Sequence, residues 1–549
     1  MPATDQRDVL ALLARPAAYP HAAPEPVHVQ THISHVFLAG AHVYKLKKAA
    51  QLPFVDQSTT ARRAALCTAE VELNRQLAAP VYLGCVTVTR ERDGRLALGG
   101  GGTPVETLVH MRRLPDQRAL ARLVERGLAD VRMMTAIAQR LAAFHTTAPS
   151  GAGAAREGTR RRVRANWDRV LALTASLPPA VLRPLERRLL TDAGPTVLGA
   201  RAACFDRRRA RGRIREGHGD LHAEQVYVLA TALPALPPYP RVPAGPWLVD
   251  RLEFSQALRC CDVASEVAFL AMDLERLGRR DLGDAFVAAY RTASGDTEID
   301  DVLPFYVAYR ACIRGAVEGM KAQEPEVDAA DAEAARVRAR RFFAVALQAV
   351  WRTGPPPILA CAGPSGSGKS TVAEALAAAT GFAHVSSDRL RKQRAGLRAG
   401  ERARRRRLTR AARAAVYDAL GRAIGRQLAA GRGVVADATF LRREERARLA
   451  AVAARHGAPL CFVACDARPA TIRSRLATRP PGWSDATWEV YVRQQQTRDP
   501  FAPDELVITL DTNHERTLVA DAALAACWSW YGRHALPRSG RRSLRQARR

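Results

Sequence analysis

Hydrophobic and polar positions change their pattern about two thirds of the way along the chain. Residues 329–351 carry apolar side chains at helical spacing and predict an amphipathic helix, which the prolines at 355–357 end. An apolar run, ILACA, follows at once. We therefore expect a boundary near Pro355, which gives an N-terminal domain at 1–350, a C-terminal domain at 356–532 and an Arg-rich, disordered tail at 533–549.

The C-terminal part alternates short apolar runs with stretches of helical spacing. Short apolar runs between helices are typical of buried parallel strands. The pattern predicts an α/β domain in which helices cover both faces of a five-stranded parallel sheet. The predicted strands are 358–362, 383–386, 433–436, 460–465 and 506–510.

The N-terminal part begins with strand-like segments and then becomes helical. Strands are predicted within 27–38, 43–47 and 82–89, and helical spacing dominates from about Gln117 onward. A small β-rich lobe followed by a large helical lobe predicts a bilobal α+β domain. The Gly-rich stretch at 98–104 is predicted to be a hairpin connection, because no strand and helix frame it as a nucleotide-binding loop.

Composition limits the class of protein. The chain has 549 residues, of which 47% are hydrophobic and 25% are charged, as expected for two or three globular domains. No uncharged apolar run approaches the roughly 20 residues that cross a bilayer, and the first residues do not resemble a signal peptide. We expect a cytoplasmic protein without a membrane partner. The ten cysteines form no CxxC pair, which favours reduced, buried thiols over zinc or disulfides.

The net charge of +30 raises the question of a nucleic-acid partner. However, 78 of the 84 basic residues are arginine, a bias that indicates a genome-wide codon preference. Aromatic residues make up only 6% and do not interleave with the arginines. Nucleic-acid binding is therefore possible but not favoured. Most of the excess charge lies at 160–169, 206–215, 398–413 and 533–549.

The strongest local signal is GPSGSGKST, which matches the G-x-x-x-x-G-K-[ST] pattern of a phosphate-binding loop. It follows the apolar run ILACA and precedes a helical stretch, the order in which backbone N–H groups and a helix N-terminus surround a phosphate. The lysine would reach the β- and γ-phosphates of ATP, and the serine hydroxyl would bind Mg²⁺. The residues expected at the nucleotide are Gly363, Gly366, Gly368, Lys369, Ser370 and Thr371.

Two charged residues after this loop suggest what is done with the nucleotide. Asp388 and Arg391 lie three residues apart at the start of a predicted helix, so their side chains share one face. A carboxylate there can deprotonate an attacking hydroxyl, while the arginine binds substrate charge. The alternative is that Asp388 only caps the helix.

Further candidates lie downstream. Asp437 ends a predicted central strand, where a carboxylate commonly holds the Mg²⁺ shell. Arg473, Arg475 and Arg479 precede a Pro-Gly stretch and suggest a mobile lid over the transferred phosphoryl group, with a solvated helix face as the alternative.

With these motifs, residues 358–530 resemble the small P-loop kinases related to gluconate kinase, zeta toxin and the kinase half of polynucleotide kinase. The resemblance rests on GPSGSGKST, SSDRLR, VVADATF and the arginine segment. It implies that Asp388 is the base toward an acceptor hydroxyl.

A second set of phosphotransferase residues lies upstream. GHGDLH contains Asp220, a candidate base toward a substrate hydroxyl. Gln225 stands five residues later, where related enzymes usually carry a metal-binding asparagine. Asp250 follows an apolar run and is a candidate metal ligand. The spacing from Asp220 suits a β-hairpin that carries both carboxylates into one cleft.

Lysines and glutamates near the start of the chain complete this set. Lys45 and Lys47 share one face of a predicted strand, and Glu70 and Glu72 lie on the helix that follows. A Lys–Glu ion pair that holds the α- and β-phosphates is the interpretation we favour, with Glu70 as the acid.

The order Lys, Glu, HGD and Asp is similar to that of the aminoglycoside phosphotransferase family, over about residues 25–300. Together with the P-loop part, VYKLKK, HGDLH and DVASEVAFLAMDLE resemble the bacterial proteins described as bifunctional aminoglycoside phosphotransferase/ATP-binding proteins. The resemblance implies a kinase-like fold with MRRLP at 111–115 as the hinge between lobes. We interpret His145 and His222 as structural residues.

We therefore expect a phosphotransferase with two sites for ATP and Mg²⁺, each acting on the hydroxyl group of a small molecule. Two alternatives stay open. One is an ATP-binding regulatory module with an inactive N-terminal half, and the other is a nucleic-acid end kinase guided by the arginine runs.

Overall fold

The structure is a computed structural model. It describes residues 6–31, 33–52, 55–325, 327–401, 410–480 and 482–536. Much of the arginine run at 398–413 and most of the tail at 533–549 lie outside the described residues. Within the described parts, no helix is long and apolar enough to cross a membrane.

The chain forms two compact units, which we call the first and second unit. The first comprises Met1–Asn166 and Ala203–Ala311, and the second comprises Trp167–Ala202 and Cys312–Arg549. This division differs from the boundary expected near Pro355. The helical residues before that proline that belong to the second unit pack against elements that follow it in the chain. Such long-range contacts cannot be recognised from the prolines alone.

Twelve strands and thirteen helices precede residue 352 in the described parts. The strands are β1 (Val27–Gln30), β2 (Ser34–Ala39), β3 (His42–Lys47), β4 (Gln51–Leu52), β5 (Val55–Asp56), β6 (Tyr82–Arg90), β7 (Leu96–Leu98), β8 (Thr103–Arg112), β9 (Ile214–Glu216), β10 (Val226–Leu229), β11 (Gly245–Leu248) and β12 (Cys260–Asp262). The helices are α1 (Gln6–Leu13), α2 (Thr60–Ala78), α3 (Leu120–Glu125), α4 (Val131–Thr147), α5 (Ala152–Glu157), α6 (Arg160–Leu173), α7 (Pro184–Ala200), α8 (Ala202–Ala210), α9 (Gln256–Arg259), α10 (Val263–Arg276), α11 (Arg280–Ser294), α12 (Ile299–Lys321) and α13 (Ala329–Val350).

The first unit has the expected α+β, kinase-like architecture. Its main sheet has the order β1-β2-β3-β8-β6-β7, with α2 packed on β6 and β8. The other face of this sheet meets α1 through a cluster that includes Val9, Leu13, Phe37 and Tyr44. Helices α4, α10 and α11 pack together as the core of the helical lobe. The Gly-rich connection at 98–104 is not a hairpin, because β7 and β8 lie on opposite sides of β6.

The second unit contains the remaining described elements. They are β13 (Ile358–Ala362), α14 (Lys369–Thr380), β14 (Ala383–Ser386), α15 (Ser387–Arg394), α16 (Arg410–Ala429), β15 (Val434–Asp437), α17 (Arg443–His456), β16 (Leu460–Asp466), α18 (Pro469–Ala477), α19 (Trp488–Gln496), β17 (Val507–Asp511) and α20 (Arg516–His534). The five strands form the predicted parallel sheet, in the order β14-β15-β13-β16-β17.

Burial explains why the strands of this sheet can be predicted from the sequence. Every residue of β13 and β15 is buried, so β13 is apolar along its whole length and β15 is apolar up to Asp437, its last residue. A layer of α7, α13 and α20 completes the unit, and the Glu186 carboxylate of α7 accepts hydrogen bonds from Arg340 of α13. Arg183, just before α7, pairs with Asp521 of α20 at 2.8 Å. These contacts hold α7 in the second unit.

Candidate functional site

The phosphate loop, residues 363–371, connects β13 to α14 as predicted. Gly363 has φ +142°, and an added Cβ would lie 2.4 Å from the carbonyl oxygen of Cys465. Gly366 has φ +85°, and its Cβ would lie 2.8 Å from a methyl carbon of Ile472. Both positions need glycine because a side chain meets an unfavourable backbone conformation and a close neighbour. The loop therefore keeps the backbone shape that can surround a phosphate.

Three polar side chains meet at the helical end of this loop. Lys369 begins α14 and is buried, and Asp437 ends β15 directly beside β13. Burial alone would raise the pKa of Asp437, but a hydrogen bond with His384, the charge of Lys369 and a hydrogen bond with Ser370 together lower it. The carboxylate is thus kept charged. A carboxylate and a hydroxyl are oxygen donors of the kind that Mg²⁺ prefers, so Asp437 and Ser370 fit a magnesium site.

A cleft of about 240 Å³ opens beside the loop. Gly366, Gly368, Lys369, Ser370 and Thr371 line it, together with Arg475 and Arg479. The structure therefore brings five of the six predicted loop residues, all except Gly363, and two of the predicted lid arginines to one space. Arg473 instead lies with its guanidinium 5.2 Å from the ring centroid of Trp488.

Arg475 is held beside the loop by Thr512. Its guanidinium donates to the carbonyl oxygen of Thr512 at 2.5 Å and to its hydroxyl at 3.3 Å. The same hydroxyl donates to the carbonyl oxygen of Ser367 at 2.7 Å. Arg475 thus has a defined position at the phosphate loop.

Asp388 and Arg391 lie on α15, with 3.6 Å between carboxylate and guanidinium. Ser386 holds the cap position of α15, and Asp388 lies in the first turn of this helix. Arg391 also pairs with Asp485 at 3.3 Å, and the buried Lys392 pairs with Asp485 at 2.9 Å. The side chain of Asp388 is 35% exposed. It is therefore accessible to an acceptor.

In the first unit, the two predicted lysines share one carboxylate but differ in accessibility. Lys45 Nζ lies 2.9 Å from Glu70 and 2.6 Å from Asp250, whereas Lys47 Nζ lies 2.7 Å from Glu70 and 2.5 Å from Glu253. Burial would raise the pKa of Glu70, but the charges of both lysines outweigh it and lower the pKa to about 2. The side chain of Lys47 is 0% exposed and that of Lys45 is 12% exposed. Lys45 is therefore the lysine that remains accessible to a nucleotide.

Strands β10 and β11 form the predicted hairpin. Gln225 precedes β10 and Asp250 follows β11, so the two residues meet at the open end of the hairpin. The Gln225 amide donates to the Asp250 carboxylate at 3.1 Å. Asp250 has φ +62°, a conformation that few non-glycine residues adopt, and its N–H donates to the Tyr82 hydroxyl at 2.9 Å. A carboxylate and an amide oxygen are both suitable ligands for Mg²⁺, but here the amide nitrogen of Gln225 faces the carboxylate.

Two buried carboxylates of α10 hold the loop that carries Asp220. Glu266 accepts from the N–H of Gly219, and Asp273 accepts from the N–H of Ala223 at 2.9 Å. His145 bridges Glu266 at 2.8 Å and the Tyr290 hydroxyl at 2.7 Å, in line with its predicted structural role. The backbone on both sides of Asp220 is therefore tied to α10.

Several residues of these sites were not predicted from the sequence. Glu253 follows Asp250 by three residues, a spacing that offered a weak signal. The others carry no local signal, since each reaches its partner across a long stretch of chain. They are Glu266, Asp273, His384, Asp485 and Thr512.

Known proteins include relatives that match most of this chain. The chain is 33% identical over 466 residues to the uncharacterized protein Rv2004c of Mycobacterium tuberculosis, and equally to Mb2027c of Mycobacterium bovis. The match covers 84% of this chain and 88% of each relative. This chain belongs to their family.

Residues 358–501 match the AAA domain family model. This match confirms the expected P-loop domain at the C-terminal end of the chain. Together with the phosphate loop, it supports ATP binding and phosphotransferase activity as the general function.

Solved structures of kinases are also similar to parts of the chain. A gluconokinase from Sinorhizobium meliloti shares 25% identity, with a TM-score of 0.26 over 33% of this chain and 94% of its own. A choline/ethanolamine kinase family protein from Mesorhizobium loti shares 14% identity, with a TM-score of 0.36 over 62% of this chain and 98% of its own.

Proposed function

We propose that the chain is an ATP-dependent phosphotransferase with two nucleotide sites, one in each unit. Each site transfers the γ-phosphoryl group to a hydroxyl group of a small molecule. The observation that carries the proposal is the cleft in the second unit, where the phosphate loop, the buried Lys369 and two arginines face one space.

In the second unit, the backbone N–H groups of the phosphate loop and Lys369 bind the phosphates of ATP. Ser370 and Asp437 would hold Mg²⁺, which neutralises charge on the transferring group when bound. Asp388 accepts the proton of the acceptor hydroxyl, and Arg391 binds the acceptor. Arg475 and Arg479 stabilise the negative charge that spreads over the phosphoryl oxygens during transfer.

In the first unit, Lys45 binds the α- and β-phosphates and Glu70 holds it in place. Lys47 supports the same carboxylate from the buried side. Asp220 accepts the proton of the acceptor hydroxyl, and its loop keeps its position through the backbone contacts with α10.

A second candidate function is a regulatory first unit that binds ATP without transferring phosphate. One observation favours it, because both carboxylate oxygens of Asp250 already accept hydrogen bonds, one from Lys45 and one from Gln225. Gln225 and Asp250 would have to exchange these partners to bind Mg²⁺ in an active site.

The proposal is tested with the purified full-length chain, γ-labelled ATP, Mg²⁺ and a pool of hydroxyl metabolites. Transfer of label is measured for the wild type, for Asp388→Asn and for Asp220→Asn. Loss of a general base reduces turnover by about 10²- to 10⁴-fold, so each variant should abolish the transfer by its own unit. ATP affinity should persist in both variants because neither residue binds phosphate.

Asp504→Asn is the matched control, since Asp504 is exposed in the same unit and lies far along the chain from the loop. It should leave transfer unchanged. Label transfer that survives the Asp220→Asn and Asp388→Asn double variant would contradict the assignment of at least one of the two bases. Transfer that only Asp388→Asn abolishes would support the regulatory first unit.

A further inference from the structure

One hydrogen bond joins the phosphate loop to a helix that the proposed chemistry does not use. The N–H of Ser365, in the loop, donates to the side-chain oxygen of Gln494 at 2.8 Å. Ser365 is 5% exposed, so water does not readily replace this acceptor. Gln494 is half-buried near the end of α19, 129 residues away along the chain.

Helix α19 and helix α18 form one packed body, which we call the arm. Ile472 and Leu476 of α18 pack against Trp488 and Tyr491 of α19. The arginine–aromatic contact of Arg473 with Trp488 joins the same two helices. A displacement of one helix would therefore disturb the other.

The arm contacts the phosphate loop at two consecutive residues. Gln494 of α19 accepts from the N–H of Ser365, and Ile472 of α18 lies against the Cα of Gly366. The arm also carries Arg475, which lines the cleft. The shape of the loop and the position of this arginine are therefore mechanically linked.

We propose that Gln494 is a positioning residue that latches the arm to the phosphate loop and thereby couples nucleotide binding to the placement of Arg475. The inference rests on the proposed function of the second unit. Without the latch, the N–H of Ser365 is a buried donor without an acceptor, which favours loop conformations that do not bind phosphate. The apparent dissociation constant then rises in inverse proportion to the fraction of the loop that remains competent to bind.

The glutamine run at the end of α19 offers matched variants. Gln494→Met keeps the length of the side chain and removes the acceptor oxygen, whereas Gln494→Glu keeps an acceptor. Gln495→Met makes the same change at the next residue, which is exposed. All variants are made in the full-length chain.

The dissociation constant for ATP is measured by calorimetry in chains that also carry Lys45→Met, so that the site of the second unit is observed alone, and turnover is measured at saturating ATP. We expect Gln494→Met to weaken ATP binding about tenfold, the usual effect of one lost hydrogen bond to a buried amide. Turnover at saturating ATP should fall by more than about threefold, because ATP no longer places the arm that carries Arg475. Gln494→Glu should restore most of the affinity, and Gln495→Met should match the wild type.

Hydrogen–deuterium exchange separates a latch from a merely structural contact. ATP should slow exchange in α18 and α19 of the wild type, and in Gln494→Met it should slow exchange in the phosphate loop but not in the arm. The proposal is overturned if Gln494→Met binds ATP with wild-type affinity, or if ATP slows exchange in the arm equally in both proteins. A wild type that binds no ATP, or a Lys369→Met variant that binds it as well as the wild type, would instead defeat the proposed function.

Discussion

Lys45 and Lys47 lie on the same face of β3, but substitution by methionine should affect stability at one position and nucleotide binding at the other. Methionine keeps the length of the side chain and removes its charge. Lys47→Met leaves Glu253, which is 4% exposed, without its cation, while Glu70 keeps only Lys45. Lys45→Met leaves Glu70 paired with Lys47 and leaves Asp250, which is 39% exposed, in contact with water and Gln225.

The magnitudes follow from which carboxylate is left unpaired. An uncompensated buried charge typically costs about 3–5 kcal/mol, so Lys47→Met should lower the free energy of unfolding of the first unit by that amount. A partly exposed carboxylate is hydrated, so Lys45→Met should cost about 1 kcal/mol or less. Lys45→Met should instead weaken nucleotide binding in the first unit.

Denaturant-dependent hydrogen exchange of peptides from α2 and β3 reports the first unit within the full-length chain. With a urea dependence of about 2 kcal/mol per molar, Lys47→Met should move the unfolding midpoint down by about 2 M. The double variant with Glu253→Gln should recover part of the loss, because the buried charge is then absent. Unfolding of Lys47→Met within about 1 kcal/mol of the wild type would refute the assignment of Lys47 as the structural lysine.

Two further predictions concern the phosphate loop and pH. Gly366→Ala should weaken ATP binding at least about tenfold because its Cβ meets Ile472, which calorimetry measures. Gly431 has φ +71° and open space around it, so Gly431→Ala should lower the free energy of unfolding by only about 1–2 kcal/mol, which thermal unfolding measures. Burial lowers the pKa of His42 and His110 from 6.5 to about 4, so the unfolded chain binds protons first as pH falls. Stability of the first unit should be complete above pH 6.5 and decline toward pH 4, and a thermal midpoint that stays constant over this range would contradict that.

Much of the second unit was predictable because its signals are local. The strands of a parallel sheet are buried on both faces and therefore appear as short apolar runs, and all five predicted strands are present with shifts of one residue at most. The phosphate loop was equally predictable, since its glycines serve a backbone shape that neighbouring residues determine.

The first unit was less predictable. The strand β8, between β3 and β6 in the sheet, was missed, and the Gly-rich connection was taken for a hairpin. Strand order depends on pairing between distant segments, and a half-exposed strand carries a weaker apolar pattern than a buried one.

The amino-acid sequence by itself determined the phosphate loop, the five-stranded sheet and the order of the kinase-type residues, because each depends on residues close together in the chain. Only the tertiary structure decided that Lys47 is sealed between Glu70 and Glu253 while Lys45 stays accessible. It also decided that Gln494 reaches Ser365 and that α7 joins the second unit. Burial and ion pairing depend on which distant side chains meet, and that is a property of the folded chain.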